Sequence, residues 1–395
     1  MSNRMIFIGS IYPSNVLEDI IKEQTHADFA AHTFQMGMLE GLSQCYNKIQ
    51  VITSPVTTTY PNSQKSQYHR KKYELNLNKK EIPVTFTGFI NFPFLKLISE
   101  YIRVRRELKK QLKGNDVVYV YALHTPFLLV VYSLKKHISK ICVIIPDLLE
   151  HMSHNNGVIR QFLKAINKRI VNRCLKAFQY YVLFSRFMAS ELSLEGKKWI
   201  VVEGMYAASV LPQCVKETKK TILYSGIISK RYGVFDLIEA FYNIDSKDYQ
   251  LWICGSCDDF NKLNEYIQKD KRVKYLGMLQ KNEVRTLQMR ATLLVNPRHS
   301  YEEFTKFSFP SKTLEYLASG TPTLMCPLPA IPEEYNEHLF YFNDESIDGY
   351  RIRIEEICSM DPTYLRIKSE KARNFILYEK NCFAQAKRIY YLVEK

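Results

Sequence analysis

Short runs of continuous apolar residues recur along the chain, separated by longer stretches of helical period. In the first half the runs are Met5–Ile8, Ile49–Thr53, Val117–Tyr121, Ile141–Ile145, Tyr180–Phe184 and Trp199–Val202. In the second half they are Thr221–Tyr224, Leu251–Cys254, Val273–Leu276, Thr292–Val295 and Thr323–Met325. A strand that is apolar throughout, not on alternate positions, is one buried on both faces. Spaced by helices, such strands predict parallel sheets covered on either side. The series runs twice. Between the two halves lies a polar, lysine-containing stretch, 207–220, with Pro212 near its start. The expectation is therefore an α/β protein of two doubly wound, Rossmann-like domains facing each other across a cleft. Ligands in such sheets bind beyond the carboxyl ends of the strands.

One segment departs from this pattern. From Ile90 to Gly114 the chain reads INFPFLKLISEYIRVRRELKKQLKG. Phe94, Leu95, Ile98, Ile102 and Leu108 fall at helical spacing beside Lys96, Arg103, Arg105, Arg106, Lys109, Lys110 and Lys113. Two readings are open: a packed helix with a solvated charged face, or a helix lying on an anionic membrane surface. Charge gives weight to the second, because the 395 residues carry a formal net charge of +15, which favours anionic partners. No apolar run approaches the ~18 residues of a spanning helix, and Met1–Gly9 reads as a strand, not a secretory leader. A cytoplasmic protein, peripheral on the inner membrane face, is expected. Nine scattered cysteines suit a reducing compartment. Cys254 and Cys257 form a C-x-x-C, but with no second pair at ligand spacing it reads as a strand-end loop. The chain has neither a G-x-G-x-x-G after a strand, nor a D-x-D pair, nor a recognised RNA motif, so no nucleic acid partner, no cofactor and no metal are expected.

The most informative stretch is Leu293–Pro332, LLVNPRHSYEEFTKFSFPSKTLEYLASGTPTLMCPLPAIP. A strand ends in a polar loop, and a helix is expected to open near Ser308–Ser311, carry Lys312 and Glu315, and stop at Gly320. A helix starting at a strand's carboxyl end turns free N–H groups toward a ligand and is suited to a pyrophosphate. Lys312 adds a mobile positive charge, and Glu315 could accept two hydrogen bonds from vicinal ribose hydroxyls. A nucleoside diphosphate carries both features a few ångströms apart.

Ser308, Pro310, Lys312, Glu315, Tyr316, Ala318, Gly320 and Pro322 together resemble the hallmark of the retaining family 4 glycosyltransferases. The nearest branch is the one that builds bacterial capsule and exopolysaccharide. Other blocks are similar in the same order: Tyr224–Gly226 with Lys230–Val234, Trp252–Ser256, Arg272–Leu279, Asn296–Arg298 and, more loosely, Pro146–Met152. The resemblance implies the GT-B fold. An acceptor-binding domain would span 1–206 and a donor-binding domain 221–378, with 207–220 as linker. A last helix, 379–395, would cross back to the first domain. It implies donor contacts at Gly226, Lys230, Arg231, Leu279, Ser308, Ser311, Lys312 and Glu315, catalytic roles for Asp147 and Lys312, and acceptor contacts at His124 and Glu150. Three family positions differ here. The first of the paired glutamates is Phe307, and the loop arginine and lysine that often hold the pyrophosphate are Ile227 and Tyr232, leaving Lys230 and Arg231 as substitutes.

The implied reaction moves a sugar from a nucleotide-sugar, with UDP the expected carrier, to a polyprenyl-diphosphate-linked or oligosaccharide acceptor, with retention and without a metal. A sugar-nucleotide epimerase of the same fold and a catalytically silent nucleotide-sugar-binding subunit are the alternatives.

Overall fold

The computed structural model describes residues 4–13, 17–18, 29–149, 158–207 and 214–395. Glu150 and residues 208–213 of the expected linker lie outside the described residues. The chain divides into two compact units, Met1–Met205 with Cys382–Lys395, and Tyr206–Asn381.

The first unit is built on β1 (Arg4–Gly9), β2 (Lys48–Thr53), β4 (Lys71–Leu77), β5 (Lys80–Phe86), β7 (Val117–Tyr121), β8 (Lys140–Ile145), β9 (Tyr180–Leu183) and β10 (Lys198–Val201). They lie in the order β10-β9-β8-β7-β1-β2-β5-β4, and β3 (Gln67–Tyr68) pairs separately with β6 (Phe89–Ile90). All pairings of the large sheet are parallel except β4 with β5. Those two form a hairpin, Lys71 opposite Phe86 down to Leu77 opposite Lys80. Its turn residues Asn78 and Lys79 have φ of 51° and 62°, the geometry whose twist matches flanking strands. The hydrophobic pattern does not announce this hairpin, because β4 is half exposed and rich in Lys, Glu and Asn.

The helices of this unit are α1 (Phe29–Leu42), α2 (Leu95–Gln111), α3 (Thr125–Leu134), α4 (Val158–Leu175), the short α5 (Met188–Glu191) and, from the chain's end, α12 (Cys382–Glu394). Helix α2 sits in the segment where an amphipathic helix is expected; its second half buries Val104 and Leu108, but its first half turns polar residues inward and apolar ones outward. Lys96, Ser99, Glu100 and Glu107 are buried, while Phe94, Leu97, Ile98 and Ile102 are exposed, Phe94 by 70%. Lys96 therefore leaves the basic face expected of it, and Leu108 leaves the apolar one. The reason is local hydrogen bonding. The Lys96 ammonium donates to the Thr57 carbonyl and hydroxyl at 2.8 and 3.0 Å. Glu100 accepts from Ser54 at 2.9 Å, and Glu107 accepts from Arg70 at 2.8 Å. Paired charges share the inner face with Val104 and Leu108, and Phe94, Leu97, Ile98 and Ile102 are left outside.

The second unit holds β11 (Lys220–Ser225), β12 (Tyr249–Cys254), β13 (Val273–Tyr275), β14 (Leu293–Asn296), β15 (Thr323–Met325) and β16 (Phe340–Tyr341). The order is β13-β12-β11-β14-β15-β16, parallel throughout. Alternate residues enter opposite cores. Ile222, Leu251, Ile253, Leu293, Val295 and Leu324 belong to one, Leu223, Trp252, Cys254 and Leu294 to the other. This double burial is what makes the strands apolar end to end. Helices α6 (Val234–Tyr242), α7 (Phe260–Lys269), α8 (Lys281–Arg290), α9 (Lys312–Ala318), α10 (Ile347–Cys358) and α11 (Pro362–Glu379) complete the unit.

Helices α1 and α12 approach closely at glycine. A Cβ on Gly41 would stand 2.2 Å from the Cys382 carbonyl oxygen and 2.4 Å from the Ala386 Cβ. Gly41→Ala should push the helices apart and destabilise the chain by about 1–3 kcal/mol. A melting temperature equal to that of the unsubstituted protein would show that the contact has slack.

Candidate functional site

Strands β11, β12 and β13 build outward to one side, and the chain then returns to lay β14 on the other side of β11. The strand order reverses between β11 and β14, and a crevice opens at their carboxyl ends. A cavity of about 380 Å³ lies there. Its wall comes from Tyr224, Ser225, Gly226 and Ile227 after β11, from Tyr232, and from Cys254, Gly255 and Ser256 after β12. Met278, Leu279 and Val284, then Asn296 and Arg298 beyond β14, then Pro310, Ser311, Lys312 and Tyr316 close it.

Glycine permits the close approach of the loops. Gly255 has φ of 130°, and a Cβ there would stand 1.9 Å from the Gly226 carbonyl oxygen. The two loops are tied by Gly226 N–H to the Cys254 carbonyl at 2.9 Å and Ile228 N–H to the Ser256 carbonyl at 2.7 Å. Gly233, at φ of 69°, does the same for the turn Lys230–Tyr232, since a Cβ would meet the Pro297 carbonyl oxygen at 2.1 Å. This contact brings Tyr232 beside Arg298, whose guanidinium lies 4.7 Å from the Tyr232 ring centre.

The helix carrying the sequence hallmark opens at the end of the expected stretch, with Ser311 as its N-cap position. α9 begins at Lys312, and Ser311 makes no side-chain cap. Pro310 and Ser311 carbonyls accept instead from the N–H groups of Thr313 and Leu314 at 2.9 and 3.2 Å, so a tight turn precedes the helix. Tyr316 fixes α9 to the sheet. Its buried hydroxyl accepts from Ser225 N–H at 2.9 Å, and its own pKa is driven up by burial.

Of the residues expected at a donor site, Gly226, Leu279, Ser311 and Lys312 line the cavity. Glu315 stands one turn along α9 and holds Lys312 in an ion pair of 3.1 Å. Ser308 meets the site through its carbonyl, which accepts from Arg298 at 3.5 Å. Lys230 and Arg231 are exposed and do not line the cavity, the Arg231 guanidinium stacking 4.0 Å from the Phe304 ring centre. Phe307 is buried. In the first unit, His124 begins α3 after β7 and contacts Glu100 at 3.1 Å, while Asp147 is exposed just beyond β8. Arg298, Asn296 and Tyr224 are among the cavity residues to which the sequence assigns no individual role. The one available signal for Arg298 is the Asn296-Pro297-Arg298 block before the hallmark.

Cys254 lines the cavity as a thiol, its pKa pushed up to about 11 by burial. Among the described residues, one group of ligating side chains is close enough to share an ion: His299, Cys326 and Glu345, within 4.8 Å of one another. It is knitted by internal hydrogen bonds. His299 Nε2 pairs with Asp236 at 2.7 Å, Nδ1 lies 3.2 Å from the Tyr350 hydroxyl, and Tyr350 donates to the Pro297 carbonyl at 3.0 Å. The knot braces the backbone that carries Arg298.

Residues 219–359 match the family model described as glycosyl transferases group 1. No curated protein matches the chain significantly. Among solved structures, sucrose-phosphate synthase from Thermosynechococcus elongatus is 14% identical with a TM-score of 0.65, covering 98% of both chains. HepE from Anabaena, in complex with UDP, is 12% identical with a TM-score of 0.65, again over 98% of both chains. The lipopolysaccharide outer core galactosyltransferase WaaB, in its apo form, is 15% identical with a TM-score of 0.62 over 98% of both chains. The fold is that of the GT-B proteins, two parallel α/β units. With a group 1 domain across its second unit, the chain is a glycosyltransferase.

Replacing Tyr316 by Phe removes the acceptor of the buried Ser225 N–H. The expected cost is about 1–3 kcal/mol of stability, read from the urea midpoint. An unmoved midpoint would show that α9 is held to β11 by packing alone.

Proposed function

We propose that the cavity at the ends of β11 and β14 binds a nucleotide-sugar and that the chain transfers its sugar to a surface-polysaccharide intermediate. The observation that carries this reading is the convergence of Gly226, Leu279, Ser311 and Lys312 on one cavity, with Glu315 one turn away, inside the group 1 domain. Glu315 is assigned to the ribose hydroxyls. Lys312, released from it, is assigned to the diphosphate. UDP is the expected carrier, as HepE and the Staphylococcus aureus protein TarM were both solved with UDP.

In the proposed reaction the bond between the anomeric carbon and the diphosphate oxygen breaks, and its electron pair leaves with the diphosphate. The acceptor hydroxyl oxygen bonds to the same face of that carbon, giving retention, and its proton passes to the departing phosphate oxygen. Protein cations, not a metal, are assigned the leaving-group charge. Acceptor recognition is assigned to the first unit, where His124 and Asp147 follow β7 and β8. Asp147 is proposed to orient the attacking hydroxyl.

The test is a screen of nucleotide-sugars by thermal shift, then transfer assays with the donor that stabilises the chain. Glu315→Ala should weaken that donor's binding by about 1–3 kcal/mol through lost charge-assisted hydrogen bonds. Equal calorimetric affinity in the variant would remove Glu315 from the site.

The acceptor is proposed to be carried on a membrane, with the chain peripheral on the cytoplasmic face. The support is the outward apolar row Phe94, Leu97, Ile98 and Ile102 on α2, continued by Arg105, Arg106, Lys109 and Lys110. Among the described residues no helix is long and apolar enough to cross a membrane. Each basic residue at an acidic surface contributes about 1 kcal/mol, screened by salt. The protein should float with vesicles containing phosphatidylserine at low salt and be released as salt rises. Changing Arg105, Arg106, Lys109 and Lys110 to Gln should abolish flotation. Wild-type protein that stays in the soluble fraction would overturn the assignment.

A further inference from the structure

The cations closest in sequence to the missing phosphate-loop pair are not at the cavity. Lys230 and Arg231 are exposed on the turn beyond it. Another cation is. Arg298 lines the cavity together with Ser311 and Lys312, and its guanidinium packs against two aromatic rings. The guanidinium centre lies 4.7 Å from the Tyr232 ring centre and 5.1 Å from that of Phe304.

What Arg298 lacks is an anion. Arg272, Arg290, Arg351, Arg353 and Arg366 of the same unit each hold a carboxylate at 3.0 Å or less. Among the described residues, no carboxylate forms an ion pair with Arg298. A guanidinium offers five N–H donors. The partners here are the Ser308 carbonyl at a long 3.5 Å and the Tyr232 side chain. Burial lowers the pKa of Arg298, so its charge is held where water solvates it poorly. The Arg231 guanidinium, on the same Phe304 ring, adds like-charge repulsion. Such an arrangement is costly when empty and relieved by an anion.

The backbone fixes the group in this position. Asn296 Oδ1 accepts from the Arg298 N–H at 3.4 Å, the preceding Pro297 carbonyl accepts from Tyr350, and Gly233 lets the neighbouring turn press against that carbonyl. A planar fork held in place matches two oxygens of a phosphate bidentately.

We propose that Arg298 grips the diphosphate of the donor and meets the charge that develops on it as the sugar leaves, in place of the loop cations. The proposal rests on the nucleotide-sugar reading of the same cavity. It places the phosphate-binding charge on the strand-end loop after β14, packed against Tyr232 of the loop after β11 where the family resemblance draws it. Lys312, at the same cavity, is assigned to the same diphosphate.

The experiment is calorimetric titration of the full chain with UDP, ADP, GDP and CDP, with their four nucleosides, and with inorganic pyrophosphate. Arg298→Gln, Arg298→Lys, the double variant Lys230→Gln/Arg231→Gln and the paired surface control Arg366→Gln are compared. Arg298→Gln should weaken the preferred nucleoside diphosphate by about tenfold to a hundredfold and leave its nucleoside within about twofold. Arg298→Lys should recover part of the loss, and pyrophosphate should follow the diphosphate. The loop double variant should lose less than Arg298→Gln, and Arg366→Gln should behave as wild type. Three results overturn the assignment: diphosphate affinity retained in Arg298→Gln, equal losses for diphosphate and nucleoside with a lowered melting temperature, or a larger loss in the loop double variant. If none of the four nucleoside diphosphates binds the wild-type chain, the nucleotide-sugar reading itself fails. That outcome is distinct from the other three.

Discussion

Everything at the candidate site depends on one topological constraint: β11 is paired on one side with β12 and on the other with β14. The chain leaves β11 in one direction and returns later to the opposite side, so the two strand-end loops cannot cover the same ground. A parallel sheet with right-handed crossovers leaves a crevice where its order reverses. The cavity is the space that results. Its floor is set by how closely the flanking loops approach, and Gly255 and Gly233 set that distance because no side chain fits between the backbones they touch. Tyr316 then fixes α9 to the end of β11, which holds Ser311 and Lys312 over the crevice.

Charge within this frame is distributed in an uneven way. Lys312 has Glu315 for a partner, whereas Arg298 has aromatic faces and a distant carbonyl. An ion pair on the rim can open for a ligand at little cost, since half-exposed pairs contribute about 1 kcal/mol or less. A cation held among rings differs, because solvation is withheld whether or not a ligand is present. The first arrangement suits a side chain that changes partner during a cycle. The second suits a fixed anchor.

The first unit inverts a familiar rule in one helix. In α2 the charged Lys96, Glu100 and Glu107 face inward because each finds hydrogen-bond partners there, in Thr57, Ser54 and His124, and Arg70. Satisfied in this way, buried charges are tolerable. The consequence is a contiguous apolar row exposed beside basic residues, a surface that water alone does not stabilise. The helix is held on its inner side by these polar contacts together with Val104 and Leu108, and the apolar row lies on its outer side.

The amino-acid sequence determined the class of this protein. Strands such as Leu251–Cys254 and Leu293–Val295 are apolar throughout because both faces of each sheet are covered, and that requirement is written directly in composition and spacing. The segment from Leu293 to Pro332 likewise announced its strand-loop-helix-strand order and its Lys312 and Glu315, since caps, prolines and glycines act locally. The β4–β5 hairpin was not legible, because its strands are polar on their outer face and its turn uses Asn78 and Lys79 instead of glycine. The outward apolar face of α2 was not legible either. Periodicity shows that a helix has two faces, but which one turns inward depends on partners such as Thr57 and Arg70 supplied from other parts of the unit. Arg298 is the clearest case. Its residue type is plain in the sequence. That it stands at the cavity with aromatic neighbours and no carboxylate is decided by Tyr232, 66 positions upstream, and by the crevice between two strands that start 73 residues apart, at Lys220 and Leu293. Distances in space of that kind are fixed only when the sheet closes, because pairing β14 beside β11 is what brings the two loops together.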